Sequence, residues 1–468
     1  IKSGFKNTVS VKIILVLLIT FLIVPSSRAQ DHHQPADTLG RRSSDDMNGQ
    51  HIHHHREEAQ GMKGNAMNMP MNHAFSLNLP MSRNGSGTSW LPDASPMYGY
   101  MLHKDSWMFM FHGDIFPRYN QADLFNKGKR GAAKWDAPNM LMAMGQRKTG
   151  KKGLFHFNVM LSADALISGG SGYPLLFQSG ETWKGKPLVD RQHPHDLFSE
   201  LSVSYAYALS KKADLYAYFG YPGEPAIGPV TFMHRPSAMF MPDAPIGHHW
   251  ADATHITFGV ATLGFRFDRF KLEASSFTGR EPDENRYNFD KPLFDSWSGR
   301  LSYNPGENWS LQVSHGFIKS PEAQHPGEDV NRTTASATFV YPFSSRVYFA
   351  STALWGQNKM SGHGSSNSAL LEATLKSNRV VLYTRYEWVE KSVEELDLDP
   401  LIYGDPENLF PVNAISLGMG YDLFSIGNLN IACGGQLSFY KAGQALRTLY
   451  GSSPVSGQLY LHIYPGRM

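Results

Sequence analysis

The sequence predicts an all-β fold, a transmembrane antiparallel β-barrel of about sixteen strands preceded by a disordered N-terminal segment in the periplasm. Three observations predict it: an export signal at the N-terminus, short segments of alternating side chains from about residue 106 onward, and connections that alternate between short and long.

Lys2, Lys6 and Lys12 precede an apolar run from Ile13 to Val24, and the small residues Ser27 and Ala29 follow it. This is the pattern of a secretory signal peptide, with cleavage expected after Ala29. The run has twelve residues, whereas a helix that spans a bilayer needs roughly twenty. No second long apolar segment follows, which excludes an α-helical membrane protein. Cys433 is the only cysteine, so neither a lipid anchor nor a disulfide is expected. With 43 basic and 41 acidic residues the net charge is only +2, and nothing recommends nucleic acid as a partner. Aromatics at 12%, with 43 glycines and 28 prolines, suit strands joined by turns.

Composition divides the chain into a signal peptide (1–29), a His/Met-rich segment (30–80), a linker (81–105) and a barrel (106–468). The His/Met-rich head has too little apolar surface to offset its ordering entropy, so no fixed structure is expected there.

In the barrel region Trp107, Phe109 and Phe111 alternate with Met108, Met110 and His112, and Val203, Tyr205 and Tyr207 with Ser202, Ser204 and Ala206. Successive side chains of a barrel strand face lipid and lumen in turn, so such ladders mark spanning strands. Short turns fall near 146–152, 210–213, 268–269, 305–308, 344–345, 377–378 and 425–427. Long loops fall near 114–138, 165–196, 221–254, 279–294, 319–331, 358–366, 390–411 and 441–455. Seven short turns interleaved with eight long loops give sixteen strands, both ends lying on the short-turn, periplasmic side. The expected location is the bacterial outer membrane, with the head in the periplasm.

The runs Gly172 to Glu181, Asp190 to Asp196, Phe232 to Ala238, Gly247 to Trp250 and Gly279 to Glu284 resemble those of a family of uncharacterised barrel proteins from Gram-negative bacteria. The resemblance covers roughly residues 85–320 and implies outer-membrane placement and an association with heavy-metal, especially copper, handling. It brings no catalytic residue. The His/Met-rich head also looks like that of outer-membrane copper-resistance proteins.

Three groups of residues carry candidate metal chemistry. The head offers His51, His53, His54 and His55, then Met67, Met69, Met71 and His73. Thioethers select Cu(I), and clustered imidazoles suit Cu(II), Zn(II) or Ni(II). The first strands place Met108, Met110, His112, Met140, Met142, Met144, His156 and Met160 on the inferred lumen face, where methionine also serves as ordinary packing. The second and third loops offer His193, His195 and Asp196, then Met233, His234, Met239, Met241, His248 and His249, with His255 opening the next strand. These loops are too apolar and Pro-rich to stay in water and are expected to fold into the barrel mouth or lumen, meeting the Met wall. Their His and Asp residues have an alternative role in hydrogen-bonding one another. The acidic stretch Glu281, Asp283, Glu284, Asp290 and Asp295 is interleaved with Arg280, Arg286 and Lys291 and reads as a salt-bridge cluster before it reads as a calcium site.

The favoured function is an outer-membrane channel or binding protein for transition-metal ions, copper foremost, with periplasmic metal-handling proteins and a homo-oligomer among the expected partners. The second is a general or substrate-specific porin. The third is a barrel-borne hydrolase using His195 with Asp196, but no serine stands in a recognisable nucleophile turn, so no enzyme activity is expected.

Overall fold

The computed structural model describes residues 72–322, 326–362 and 364–468. The expected signal peptide and His51, His53, His54, His55, Met67, Met69 and Met71 lie outside the described residues.

Sixteen antiparallel strands close on themselves. The first runs as Trp107–Ile115 and, past Phe116 and Pro117, Arg118–Ala122; the second as Ala132–Asp136 and Asn139–Thr149. There follow Gly153–Leu161, Phe198–Ala208, Ala213–Gly220, Val260–Phe267, Phe270–Phe277, Ser296–Tyr303, Trp309–Ile318, Val330–Ser344, Val347–Met360, Ser365–Ser377, Val380–Ser392, Leu409–Ile426, Leu429–Lys441 and Val455–Pro465. Each strand pairs with the next, and the last closes on the first through Ile463 opposite Ile115 and Tyr460 opposite Arg118. Closure leaves no edge, which is what a sheet in hydrocarbon requires. A short extra strand, Tyr100–Lys104, pairs with the first strand on the periplasmic side.

The wall is inverted relative to a water-soluble protein. Leu263, Leu272 and Met419 are 69%, 59% and 54% exposed, while the adjacent Thr262, Glu273 and Gly418-facing Tyr383 are buried. Apolar side chains outside and polar ones inside place the barrel in lipid, and short turns on one side with long loops on the other are the outer-membrane arrangement.

All seven expected short turns are present. The expected loop at 114–138 is shorter than the sequence suggests, because Arg118–Ala122 and Ala132–Asp136 extend their strands. Arg118 points inward to Asp136, Nε to Oδ1 2.5 Å, and above the lipid band the apolar alternation that marks a strand is lost.

The lumen is filled. Residues 72–98, whose sequence reads as the end of the polar head and the start of a linker, pack inside the barrel. Ser76 donates to Asp214 (2.6 Å), Thr88 to Glu273 (2.5 Å), and the Trp90 ring lies between Arg83 and Lys271 (4.8 and 4.9 Å). The third loop, 221–259, descends beside this segment, and Thr231 N–H donates to Ser86 Oγ (2.9 Å). Carboxylates tie the loop to the wall: wall Glu372 holds Arg235, wall Glu387 accepts from Ile246 N–H, and loop Asp243 accepts from Gln436 and Gln458 of the wall. The hairpin Tyr173–Trp183 and Lys186–Gln192 of the second loop caps the outer mouth, its Phe177 stacked on Tyr450 at 4.1 Å.

Candidate metal centre

Five imidazoles meet below this cap. His193 and His195 leave the hairpin, His248 and His249 sit on the single turn His248–Ala251, and His255 ends the turn Ala253–His255. Gly180 makes room for them: its φ is +113°, and a Cβ there would lie 2.4 Å from the His249 ring. All five side chains are buried. Ring centres are 5.2 Å apart for His248 and His255, 5.3 Å for His195 and His255, 5.4 Å for His248 and His249, and 5.5 Å for His193 and His249.

Each ring is held by its Nδ1. His195 Nδ1 is 2.7 Å from Asp164 Oδ2, His248 Nδ1 2.6 Å from Asp252 Oδ1, and His255 Nδ1 2.8 Å from the Asp252 carbonyl. His193 Nδ1 faces Glu181 at 3.2 Å and His249 Nδ1 faces Glu281 at 3.4 Å. With Nδ1–H donated to an oxygen, the lone pair rests on Nε2, and all five Nε2 atoms are buried with no hydrogen-bond partner among the described residues. Burial holds His193, His248 and His255 below the ordinary imidazole range, and neighbouring imidazoles add to this at His193 and His255. Neutral rings oriented by carboxylates are the usual outer shell of a metal site.

Among the described residues no three His, Cys, Asp or Glu side chains already converge as a metal-binding group. Two imidazoles on one tetrahedral ion have ring centres about 5 Å apart, given metal–nitrogen distances of about 2.0–2.1 Å. The four closest pairs stand near that spacing.

The Met wall is a separate cluster. Met108, Met110, Met140, Met142, Met144 and Met160 all point into the lumen, as the alternation implies, and Met81 joins them, with Met97, Met101 and Met233 at the edge. A cavity of about 90 Å³ opens beside it, lined also by Met239, His112 and His234. The expected meeting of both loops with the Met wall therefore divides. The turn Phe232–His234 sends Met233 and His234 to the methionines, whereas His193 and His195 stay with His248, His249 and His255 under the cap. Met241 belongs to neither group; it packs with Phe240 and the tyrosines Tyr98, Tyr348 and Tyr464.

Asp196 takes Arg286 as its partner (3.1 Å), and Asp164 is the carboxylate on His195, so the His195–Asp196 pair of the hydrolase reading is not formed. His73 is packed in the lumen, its Nδ1 accepting from Phe75 N–H (3.0 Å) and its ring against Trp90. Glu281 leaves the acidic stretch to face His249, while Glu284 accepts from the hairpin turn at Lys184 and Gly185. Sequence reasoning missed Asp164, Glu181 and Glu281 as the groups that orient the imidazoles, and Met81 and Met97 as part of the Met cluster; no local pattern marks any of them.

No family model matches the chain, and no curated relative matches it. Solved structures of similar outline include a Salmonella typhi OmpF complex with daunomycin (10% identity, TM-score 0.48, 78% of this chain and 99% of that one). An anion-selective porin from Comamonas acidovorans (12%, 0.46, 77% and 99%) and a loop-deleted OmpT, an outer membrane protein of Vibrio cholerae (10%, 0.45, 77% and 100%), are others.

Proposed function

We propose that this porin-like outer-membrane barrel handles transition-metal ions, copper foremost, and that it holds a divalent ion in the outer part of its filled lumen. The observation that carries this reading is the set of five buried imidazoles with oxygen-bound Nδ1 and unpartnered Nε2. Neighbouring members of this cluster, with ring centres 5.2–5.5 Å apart, would offer their Nε2 lone pairs to such an ion. An all-imidazole set suits Cu(II), Zn(II) or Ni(II).

The test is Cu(II) binding to the full chain with the head imidazoles His32, His33, His51, His53, His54 and His55 replaced by Ala, folded in detergent and followed by electron paramagnetic resonance, with and without His193→Ala, His248→Ala and His255→Ala. Loss of a nitrogen-coordinated Cu(II) signal with an intact heat-modifiable gel shift is expected. Retention of that signal, together with free conductance for small solutes in planar bilayers, would return the chain to the porin reading.

A further inference from the structure

Half of the chain's twenty methionines belong to one cluster inside the barrel. Packing alone does not call for this. The lumen wall elsewhere is filled with Ser, Thr, Tyr, Arg and Glu, and Leu or Ile would fill an apolar corner with better-defined rotamers than Met. The cluster is also not closed on itself. Its side chains border the cavity of about 90 Å³, where the His112 and His234 rings stand 6.1 Å apart. His112 Nδ1 is 2.8 Å from the Tyr98 carbonyl, which fixes the proton there and leaves the Nε2 lone pair free. Methionines from three sources thus line the same cavity as two imidazoles: Met110 and Met142 from the wall, Met81 from the N-terminal segment, Met233 from the third loop.

We propose that this cavity is a second metal site, selective for a soft monovalent cation, Cu(I) in the first instance. Thioethers are neutral and polarisable, bind hard cations poorly, and favour Cu(I) over Zn(II), Ca(II) or Mg(II). The cavity shares no residue with the five-imidazole cluster, so this inference goes beyond the divalent reading and stands or falls separately from it. It also assigns the N-terminal segment a part in the site, since Met81 lies on the turn Met81–Arg83 and enters the cavity only while residues 72–98 occupy the lumen.

The experiment uses the full chain with Met67, Met69 and Met71 replaced by Leu, which removes the thioethers of that run while leaving the barrel untouched. This protein is titrated with Cu(I) against a chromogenic Cu(I) chelator, and its copper environment is read by X-ray absorption. Adding Met110→Leu, Met142→Leu and Met233→Leu, which nearly conserve volume, is expected to weaken Cu(I) retention by more than about tenfold and to reduce copper–sulfur scattering, Met81 and the other cavity methionines remaining. Cu(II) binding at the imidazoles stays as before. If the triple variant does not give the heat-modifiable shift, Met233→Leu alone, on a partly exposed turn, serves in its place. Equal Cu(I) retention with unchanged sulfur scattering overturns the proposal even if the imidazole site is real. Retention of Cu(II) binding in the imidazole variant, with Cu(I) lost from the methionine variant, removes the divalent reading and leaves this one standing.

Discussion

Glu372, pointing into the lumen from the strand Ser365–Ser377, accepts from Arg235 of the third loop, Nε to Oε1 at 2.6 Å, with both side chains fully buried. The same carboxylate accepts from Arg385 of the next strand (3.3 Å) and from Ser237 of the loop (2.9 Å). Glu372 is therefore the shared counter-charge of two buried guanidinium groups. Breaking a buried pair from one side costs about 3–5 kcal/mol when the charge left behind is uncompensated, and less here because Arg235 keeps Asp252 (2.9 Å) and Arg385 lies 3.8 Å from Asp243. Glu372→Gln is expected to lower the midpoint of the heat-modifiable gel shift more than Arg235→Met does, since the latter leaves Glu372 paired with Arg385. Equal shifts would mean that the pairs act independently.

The outer face offers a second check. Leu263 stands near the middle of the strand Val260–Phe267 and is 69% exposed. Arginine near the bilayer midplane on the lipid face of a barrel costs about 2–4 kcal/mol. Leu263→Arg is expected to destabilise the barrel by that amount in denaturant titrations in lipid vesicles, and Leu263→Ile to change little. An unchanged midpoint for the arginine variant would place this face in water.

How much of this was legible in the sequence depends on which solvent each residue meets. Where a strand has lipid on one side and lumen on the other, apolar and polar side chains alternate, and the ladders at Trp107 to Phe111 and Val203 to Tyr207 and all seven short turns could be read directly. Above the lipid the rule lapses, and the strand around Arg118 was hidden. Residues 72–98 read as head and linker because their buried apolar residues, Phe75, Met81, Trp90 and Leu91, follow no strand or helix period, and Ser76, Thr88 and Arg83 bury themselves by hydrogen bonds and ion pairs. The imidazoles were visible one by one. Their grouping around Asp252 and Asp164 was not, because it rests on how two loops fold over each other.

The filled lumen makes a conductance prediction. Sixteen strands leave space for an aqueous channel when nothing occupies them. Here the third loop and the N-terminal segment occupy it, and Arg235, His248 and Trp250 are almost fully buried. The full chain is expected to show little conductance in planar bilayers, and deletion of residues 228–250 to open large steps in protein that keeps its heat-modifiable shift. Large steps from the intact chain would mean that a path runs past the loop.

The N-terminal segment is held largely through Trp90, 5% exposed, between two cations. Truncating a buried Trp to Ala costs about 3–5 kcal/mol. Trp90→Ala is expected to loosen residues 72–98 without opening the barrel, so that trypsin cleaves after Arg83 in folded protein. Resistance equal to wild type would show that Thr88 with Glu273 and Ser76 with Asp214 suffice.

The last prediction concerns Asp164, which touches the proposed divalent ion only through His195. Its Oδ1 accepts from the Asn139 N–H at 2.9 Å and from Asn139 Nδ2 at 3.0 Å, and its Oδ2 lies 2.7 Å from His195 Nδ1. In Asp164→Asn the one remaining oxygen satisfies Asn139, and the new amide NH₂ faces the imidazole. An amide donor against Nδ1 favours the tautomer protonated on Nε2, which takes away the lone pair that would bind metal. Loss of such an orienting group typically weakens binding by about 10–100-fold. The variant is therefore expected to bind Cu(II) more weakly by that factor, with one nitrogen fewer in its paramagnetic resonance spectrum and an unchanged gel shift. Because both changes remove the same ligand, His195→Ala is expected to give a similar loss, and the double variant no more than His195→Ala alone. Full additivity of the two would assign Asp164 a packing role at Asn139 and leave His195 a ligand that does not depend on it.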